Sequence, residues 1–405
     1  MKAWEVRELG AVSAISYGYT ESASFEPVGP RFLRITDIQD DHVDWDSVPY
    51  CRIQSVDLPK YRLASGDIVF ARTGATTGKS FLVIDPPEAV FASYLIRLRL
   101  IEKELLPQFV YLFFQTPTYW KSIKDGSTGS AQGGFNATKL GALSIPIPPI
   151  LEQRRIVGIL DEAFDGIATA KANAENNLQN ARALFESHLQ SVFTKRGEGW
   201  EQGKLGDDGL LEIIDGDRGA NYPKASEFGT EGYCLFLNTK NVRPDGFEFQ
   251  SGMFITRDKD AKLRKGKLQR GDVVMTTRGT IGNLGFYSDH VGFDNIRINS
   301  GMLIFRVNPK RLLASFLFEV LRSSLVKAQI RRFTSGAAQP QLPIKTLVNF
   351  TIPVPTSTEE QLSIVDRIGS MSAETHRLES IYRQKLAALD ALKKSLLDQA
   401  FTGVL

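Results

Sequence analysis

The chain has 405 residues, of which 42% are hydrophobic and 23% charged, a composition typical of a soluble globular protein with two to four domains. It has no apolar run of about 18 residues, so no transmembrane helix is expected, and its first residues lack the apolar core of a signal peptide. The net charge of +3 argues against a protein that holds nucleic acid by bulk electrostatics alone.

Residues 1–147 are predicted to form a first α+β globule. Short β-like runs such as Asp67–Phe70 alternate there with turn signals such as Arg72–Gly74, and a short helix is expected over Pro107–Trp120. Residues 1–150 contain 15 Lys and Arg against 16 Asp and Glu. If this globule binds DNA, a basic partner should therefore supply part of the positive charge.

The rest of the chain predicts a helix, a second globule and a second helix. A long helix is expected over residues 148–196, where Glu152 in the first turn suits the positive end of the helix dipole. Residues 197–355 predict a second α+β globule with a short helix over Leu312–Phe333. Residues 356–405 predict the second long helix.

The most specific signal is an internal repeat of about 200 residues. Trp4-Glu5 returns as Trp200-Glu201, and the offset between matches grows slowly along the chain, as loop insertions would make it grow. Most residues between the matches differ, so the two copies share a scaffold but not its details. The further matches are Gly66–Val69 with Gly271–Val274, Gly129–Gln132 with Gly336–Gln339, Pro146–Pro148 with Pro353–Pro355, Glu152-Gln153 with Glu360-Gln361, and Phe193-Thr194 with Phe401-Thr402.

Apolar positions in both long helices follow heptad spacing. Because the first helix enters the second globule and the second helix leaves it, the helices can pack on each other only when they run antiparallel. This predicts two pseudo-two-fold related globules separated by a long antiparallel two-helix coiled coil; the alternative is two ordinary helices, each packed on its own globule. The predicted seam positions are Ile156, Leu160, Ala163, Ile167, Ala170, Ala174, Asn177, Ala181, Leu184 and His188 in the first helix, and Ile364, Ile368, Met371, Thr375, Leu378, Tyr382, Lys385, Leu389, Leu392 and Leu396 in the second.

Two related globules at a fixed separation suit a target that has two parts at a fixed spacing along a regularly repeating molecule. DNA is such a molecule, and two-fold readers contact half-sites about 34 Å apart. Globules that differ in detail would read different half-sites, which predicts an asymmetric bipartite target whose spacer is set by the helices. The alternative hypothesis is a coiled-coil tethering protein that joins two protein-binding globules.

The chain resembles the specificity (S) subunits of type I restriction-modification systems. The residues that carry the resemblance are Pro146–Ile156, which read Pro-x-Pro-Pro-x-x-Glu-Gln-x-x-Ile before a long helix, and their recurrence at Pro353–Ile364 after a short insert at Thr356–Thr358. The Gly-Asp and Gly-rich segments at Gly66–Lys79 and Gly271–Gly282 support it. The resemblance covers nearly the whole chain.

The resemblance implies a set of partners and no chemistry in the chain itself. Each globule would be a target recognition domain for double-stranded DNA, and the helices would dock two methyltransferase (M) subunits, with motor-nuclease (R) subunits as further candidates. S-adenosylmethionine and ATP are then expected on those partners, with no cofactor and no catalytic site in this chain. The expected location is the cytoplasm, without a membrane partner.

Two motifs that suggest enzymes are incomplete. Gly74–Ser80 is one residue short of a phosphate-binding P-loop. We interpret it as a tight turn that presents Arg72 and Lys79 to DNA, with a purely structural turn as the alternative. Asp85–Glu88 resembles the motif of amino-methyltransferases but lacks the aromatic residue that stacks on a flipped base.

The remaining candidate DNA-binding residues fall into two groups. Gln132 and Gln339 recur in both copies and favour backbone positioning or a structural role, because base readers of different half-sites should differ between the copies. Residues that diverge are the candidate base readers, and Arg278 is expected to act as Arg72 does. For each divergent residue the alternative is an ordinary solvated side chain. The divergent candidates are Tyr17, Tyr19, Arg31 and Arg34 in the first globule and Arg218, Tyr222, Lys224, Lys240 and Arg243 in the second.

No metal site or disulfide is expected. The histidines and cysteines lack ligand spacing, and unpaired cysteines are typical of a reducing compartment. A basic cluster in the second globule either contacts DNA phosphates or forms a solvated face. The residues concerned are His42, His188, His290, His376, Cys51 and Cys234, and in the basic cluster Lys259, Lys262, Arg264, Lys265, Lys267 and Arg270.

Overall fold

The chain divides into two compact units, one comprising Met1–Glu175 with Arg383–Leu405 and the other Asn176–Tyr382. Each unit therefore holds one globule together with parts of both long helices. The computed structural model describes residues 4–39, 41–127, 134–195, 199–334 and 341–405.

The first globule mixes short strands and short helices. Strands β2, β9, β6 and β7 form an antiparallel sheet in that order, β1 pairs with β10, and β3 pairs with β8 in parallel. The apolar run of β6 is buried along its whole length, which places it in the centre of the core. The strands are β1 (Glu5–Glu8), β2 (Ser13–Tyr17), β3 (Arg31–Leu33), β4 (Ile38–Gln39), β5 (His42–Val43), β6 (Ile68–Ala71), β7 (Ser80–Leu82), β8 (Ala89–Phe91), β9 (Leu95–Leu100) and β10 (Ser144–Ile147), and the helices are α1 (Leu9–Val12), α2 (Leu58–Tyr61), α3 (Pro107–Phe113), α4 (Pro117–Ser127) and α5 (Ala137–Gly141), followed by the long α6 (Ile150–Thr194).

The second globule repeats this topology. Strands β12, β20, β17 and β18 form the equivalent antiparallel sheet, β11 pairs with β21, and β13 pairs with β19 in parallel, with β16 added at its other edge. Its strands are β11 (Trp200–Lys204), β12 (Leu211–Asp215), β13 (Cys234–Leu237), β14 (Val242–Arg243), β15 (Gly246–Phe247), β16 (Phe254–Ile255), β17 (Val273–Thr276), β18 (Leu284–Phe286), β19 (Ile296–Ile298), β20 (Met302–Val307) and β21 (Thr351–Pro355), and its helices are α7 (Arg257–Lys262), α8 (Ala314–Arg322), α9 (Ser324–Thr334) and α10 (Ile344–Leu347), followed by the long α11 (Thr358–Thr402).

The repeated Gly-Asp pair has a structural explanation. The buried Asp67 carboxylate accepts hydrogen bonds from Arg99, whose Nε lies 2.6 Å from Oδ1. In the second globule the buried Asp272 accepts from Arg306, whose Nη2 lies 2.7 Å from Oδ2. Charge-assisted bidentate pairs of this kind fix geometry strongly, so the recurrence of Gly-Asp reflects the scaffold.

The repeated Glu-Gln pair joins each globule to its helix. Gln153 and Gln361 are fully buried, and each side chain makes three hydrogen bonds at one helix start, an arrangement we call the glutamine clamp. The Gln153 amide donates to the Glu104 and Pro148 carbonyls and accepts from the Leu106 N–H, while the Gln361 amide donates to the Arg311 and Pro355 carbonyls and accepts from the Leu313 N–H.

Within the first unit the two long helices run antiparallel. Leu397 of α11 is buried in the same core as Ile156 of α6. Farther along α6, the Lys171 Nζ lies 2.8 Å from Oδ1 of Asp390, so contacts move back along α11 as they advance along α6. The helix α11, which follows the second globule in the chain, therefore also packs on the first globule.

The second unit pairs the helices in the same way. Ile364 and Ile368 of α11 share a core with Leu189 of α6, and Arg182 Nε lies 2.6 Å from Oε1 of Glu379. The antiparallel pairing is therefore confirmed in each unit. No helix among the described residues is long and apolar enough to cross a membrane.

Strict heptad spacing is wrong at matching positions of both helices. Most predicted seam residues are buried or half-buried, but Asn177 and Leu184 of α6 are exposed, as are Lys385 and Leu392 of α11. A straight helix has 3.6 residues per turn and drifts by about 20° per heptad from a 3.5-residue repeat. The seam therefore moves by one residue, and the half-buried residues there are Leu178, Phe185, Leu386 and Lys393.

Each predicted short helix is in fact two. The segment expected to be helical from Pro107 breaks after α3, and Pro117 then begins α4, as proline commonly does at a first helical position. The second segment breaks at Ser323, which has extended backbone and whose hydroxyl donates to the Val320 carbonyl at 2.6 Å.

Candidate nucleic-acid interface

In each globule two loops meet through a glycine. A Cβ at Gly18 would lie 2.2 Å from the Ala92 carbonyl oxygen, and one at Gly216 would lie 2.3 Å from the Asn299 carbonyl oxygen. No other residue fits at these distances. We call the surface around each contact a tip: residues 17–20, 72 and 92–94 form tip one, and residues 215–219, 278 and 299–301 form tip two.

Tip one brings Arg72 and Tyr17 together. The Arg72 guanidinium carbon lies 5.1 Å from the centre of the Tyr17 ring, and its Nε donates to the Ser93 carbonyl at 2.9 Å. The Tyr17 hydroxyl accepts from the Ala137 N–H at 3.1 Å. The ring and the carbonyl therefore hold the guanidinium in one orientation.

An exposed aromatic residue that the sequence reasoning missed lies beside this pair. Tyr94 is 61% exposed, and its backbone carbonyl accepts a hydrogen bond from the backbone N–H of Arg72 at 3.2 Å. A guanidinium held against one tyrosine ring can pair with guanine or phosphate, and an exposed tyrosine on the adjoining loop can contact a thymine methyl or a sugar. An aromatic residue in the short turn between β8 and β9 was the available signal.

Lys79 belongs to the scaffold rather than to tip one. Its Nζ donates to the Ile38 carbonyl at 3.1 Å. In the second globule Asn283 occupies the matching place, and its side-chain amide donates to the Val242 carbonyl at 2.9 Å. Because a lysine and an asparagine tie the same turn to the same hairpin, the structure does not join Lys79 to Arg72 in one DNA-binding turn.

The other candidates in the first globule have partners within the protein. Arg34 forms two hydrogen bonds with Asp37, and these raise the pKa of its guanidinium. Arg31 donates to the Val48 carbonyl at 2.7 Å and stacks on a tyrosine ring. Tyr19 packs on Tyr61, with ring centres 5.0 Å apart.

Tip two differs in chemistry from tip one. Asp215 stands at the strand position of Tyr17, and Gly301 at that of Tyr94, as the registers of β12 and β20 show. Arg218 is half-exposed, with Nη2 3.2 Å from Asp215 and 3.4 Å from the Ser300 carbonyl. Arg278 is exposed, and no contact of its side chain with a polar group is found among the described residues.

The remaining candidates in the second globule divide by exposure. Tyr222 is half-buried and packs edge-on against Phe236 beside a small core. Lys224 and Lys240 are exposed. Arg243 is exposed and lies 3.1 Å from Glu248.

Much of the basic cluster is neutralised internally. Lys259 contacts Glu227 at 2.9 Å, and Lys267 contacts the buried Asp260 at 2.6 Å. Arg270 donates to loop carbonyls and stacks on a tyrosine. The remaining members, Lys262, Arg264 and Lys265, are exposed.

Gln132 and Gln339 lie outside the described residues. In the part of the chain that the structure describes, no group of three or more His, Cys, Asp or Glu side chains that could hold a metal ion is found. The Cys51 and Cys234 thiols are buried and free. Burial raises their pKa to about 11 and about 12, so both are protonated at neutral pH.

Comparisons with known proteins agree with this architecture. A family model described as the type I restriction modification DNA specificity domain matches residues 1–180 and again residues 197–387. Two proteins of Methanocaldococcus jannaschii are each 26% identical to the chain: a putative type I restriction enzyme MjaX specificity subunit, over 99% of this chain and 93% of its own length, and the MjaVIII specificity subunit, over 83% and 78%.

Solved structures share the fold. A chain solved in work on complex assembly and conformational transition of the type I R-M system aligns with a TM-score of 0.80 at 21% identity, over 100% of this chain and 99% of that chain. The HsdS subunit from Thermoanaerobacter tengcongensis aligns with a TM-score of 0.62 at 19% identity, over 100% and 98%.

Proposed function

Because the chain belongs to the family of type I restriction-modification DNA specificity domains, with one domain in each globule, we propose that it reads an asymmetric bipartite sequence in double-stranded DNA. Tip one would contact one half-site through Arg72, Tyr17 and Tyr94. Tip two would contact the other through Arg218 and Arg278.

One observation carries this proposal: the fold repeats, but the side chains at equivalent tip positions do not. Tyr17 is replaced by Asp215, and Tyr94 by Gly301. A tyrosine ring offers an apolar face, whereas a carboxylate accepts hydrogen bonds from cytosine or adenine amino groups. Equivalent scaffolds with different reading chemistry suit two different half-sites.

The chain would act through partners and would not itself be an enzyme. Two methyltransferase subunits would dock on the helices, because a pseudo-two-fold chain offers a similar surface twice. S-adenosylmethionine would bind those subunits, and ATP would bind motor-nuclease subunits where these join. Cytoplasmic DNA would be the substrate of the assembly.

A duplicated globule tests the proposal. Replacing residues 1–147 by a second copy of residues 197–355 should convert the asymmetric target into one whose two halves are the same half-site in inverted orientation. Single-molecule sequencing of methylated adenines in a host that co-expresses the methyltransferase would show the new motif. The reciprocal duplication of residues 1–147 is the matched control and should give the other half-site twice.

An unchanged motif in both duplications would refute the assignment of one half-site to each globule. A chain that binds proteins through its globules and leaves the methylome unaltered when deleted would support the tethering alternative. A matched insertion of about one helical turn, about four residues, in both α6 and α11 should change the spacer and neither half-site.

A further inference from the structure

Tip two and the loop that follows α7 together carry three exposed arginines. Arg218 Nη2 lies 3.4 Å from the carbonyl of the turn at 300–301. Arg278 lies on a neighbouring loop: a Cβ added to Gly301 would be 3.8 Å from the Cβ of Arg278. Arg264 comes close to the backbone of Gly219: a Cβ added to that glycine would be 3.0 Å from the Arg264 Nη2. We call these three residues the arginine cluster.

The cluster keeps a positive surplus. Arg218 pairs with Asp215 and Arg264 lies near Asp217, which leaves three guanidinium groups against two carboxylates. Asp217 is buried, and it accepts the Gly219 and Arg264 N–H groups at 2.7 Å, hydrogen bonds that hold its pKa below the usual range. Its charge therefore lies beneath the surface, while the arginines meet the solvent.

Tip one has fewer guanidinium groups, although its net charge of +1 equals that of the cluster together with Asp215 and Asp217. Its single arginine, Arg72, stacks on Tyr17 and donates through Nε to a backbone carbonyl. The globules differ in the same direction as a whole: residues 197–355 contain 22 Lys and Arg against 17 Asp and Glu, whereas residues 1–150 contain 15 against 16.

We propose that the arginine cluster is a clamp for phosphodiester groups of duplex DNA and supplies most of the salt-dependent affinity of the chain. This inference rests on the proposed function. Guanidinium groups form bidentate hydrogen bonds with phosphate oxygens, and phosphate contacts bind any sequence. Through these contacts tip two holds the chain on DNA before either half-site is found, whereas tip one contributes little electrostatic attraction.

The test is a salt titration of the co-purified complex with its methyltransferase. Fluorescence anisotropy would measure binding to a 30-base-pair duplex that lacks the target motif, across a range of KCl concentrations. Each phosphate contact contributes about 0.9 to the slope of log K against log salt. Changing the cluster to glutamine (Arg218→Gln, Arg264→Gln and Arg278→Gln together) should reduce the slope by about 2 to 3.

Two matched variants separate the clamp from other effects. The triple lysine variant of the cluster keeps the charge and should retain most of the slope. A control with the same loss of charge on exposed residues elsewhere in the globule should change the slope by less than about 1. The control changes are Lys204→Gln, Lys310→Gln and Arg332→Gln.

Equal losses in the cluster and control variants would overturn the proposal, because net charge alone would then explain binding. An unchanged slope in the glutamine variant, with a melting temperature like that of the wild type, would also overturn it. If polyglutamate displaces the duplex as well as phosphate-rich competitors do, the cluster is a general site for acidic chains. The proposed function fails separately, if the wild-type complex does not prefer motif DNA to the scrambled duplex.

Discussion

Each globule buries one arginine, but the two lie at different places in the fold, on β9 in the first globule and on β19 in the second. Arg97 in the first globule donates to the Arg62 carbonyl and lies over the Phe91 ring, and burial lowers its pKa. Arg297 in the second donates to the Asp260 carboxylate and to backbone carbonyls. The strand registers place Arg297 at the position of Val90 in the first globule, so the second globule contains a buried ion pair where the first has an apolar residue.

The joints with the helices, in contrast, are the same. The glutamine clamp and the buried aspartate–arginine pair recur with the same donors and acceptors. The comparison teaches that the repeat is constrained most where a globule meets its helix, and least at the tip and in the core beneath it. Three changes test this division, in decreasing order of expected effect.

Asp260→Asn should cause the largest loss of stability. It leaves Arg297 buried without a counter-charge, which should lower the free energy of unfolding by about 3–5 kcal/mol. This corresponds to a fall of about 10 °C in the Tm of the second globule. Calorimetry of the full chain would measure it. Asp289→Asn, at an exposed aspartate of the same globule, should change Tm by less than about 2 °C.

The effect of Asp260→Asn should depend on pH. Burial alone would raise the pKa of Asp260, but hydrogen bonds from Lys267 and Arg297 outweigh it and leave the pKa lowered. The carboxylate therefore stabilises the fold above the unfolded-state value of about 4, and this stabilisation is lost as pH falls through the lowered folded-state pKa. A difference between wild type and variant that stays constant down to pH 3 would show that the ion pair is not the cause.

Removing the glutamine clamp should have a smaller and symmetrical effect. Gln153→Ala and Gln361→Ala each leave one N–H and two carbonyls without partners, at an expected cost of about 2–4 kcal/mol. Urea unfolding would compare the two variants with Gln190→Ala, at an exposed glutamine of α6. Clearly unequal losses would break the claim that the joints are equivalent.

Tyr94→Ala should have the smallest effect on stability, within about 0.5 kcal/mol, because the side chain is exposed. It should weaken discrimination in one half-site by about 1 kcal/mol and leave the other half-site unchanged. Competition binding with duplexes altered one base pair at a time would measure this. Phe25→Ala, at another exposed aromatic of the first globule, is the control, and an equal effect there would remove Tyr94 from the interface.

The sequence predicted the repeat, the two globules and the long helices because each depends on spacing along the chain. It failed where a small geometric drift accumulates: Leu184 and Leu392 fit a heptad but lie outside the seam. It also could not show that the break at Ser323 divides one helix into two.

The candidate site was less predictable, because its residues meet through loops. A lysine in a glycine-rich turn suggests phosphate, but only the structure shows that Lys79 binds the same carbonyl position as Asn283 does. Arg31 and Arg34 look available in sequence, yet both have partners nearby. Tyr94 was missed because its one signal, an aromatic residue in a short turn, becomes visible only once the turn between β8 and β9 is located.

The backbone contacts at Gly18 and Gly216 bear on how such a chain can change. Neither loop can gain even a methyl group at that point, yet the residues on either side are free of this restriction. The glycine fixes the base of the tip, and under the proposed function a few substitutions around it would change the DNA target without rebuilding the fold. Directed evolution of specificity should therefore keep both glycines and randomise positions 17, 94, 215 and 301.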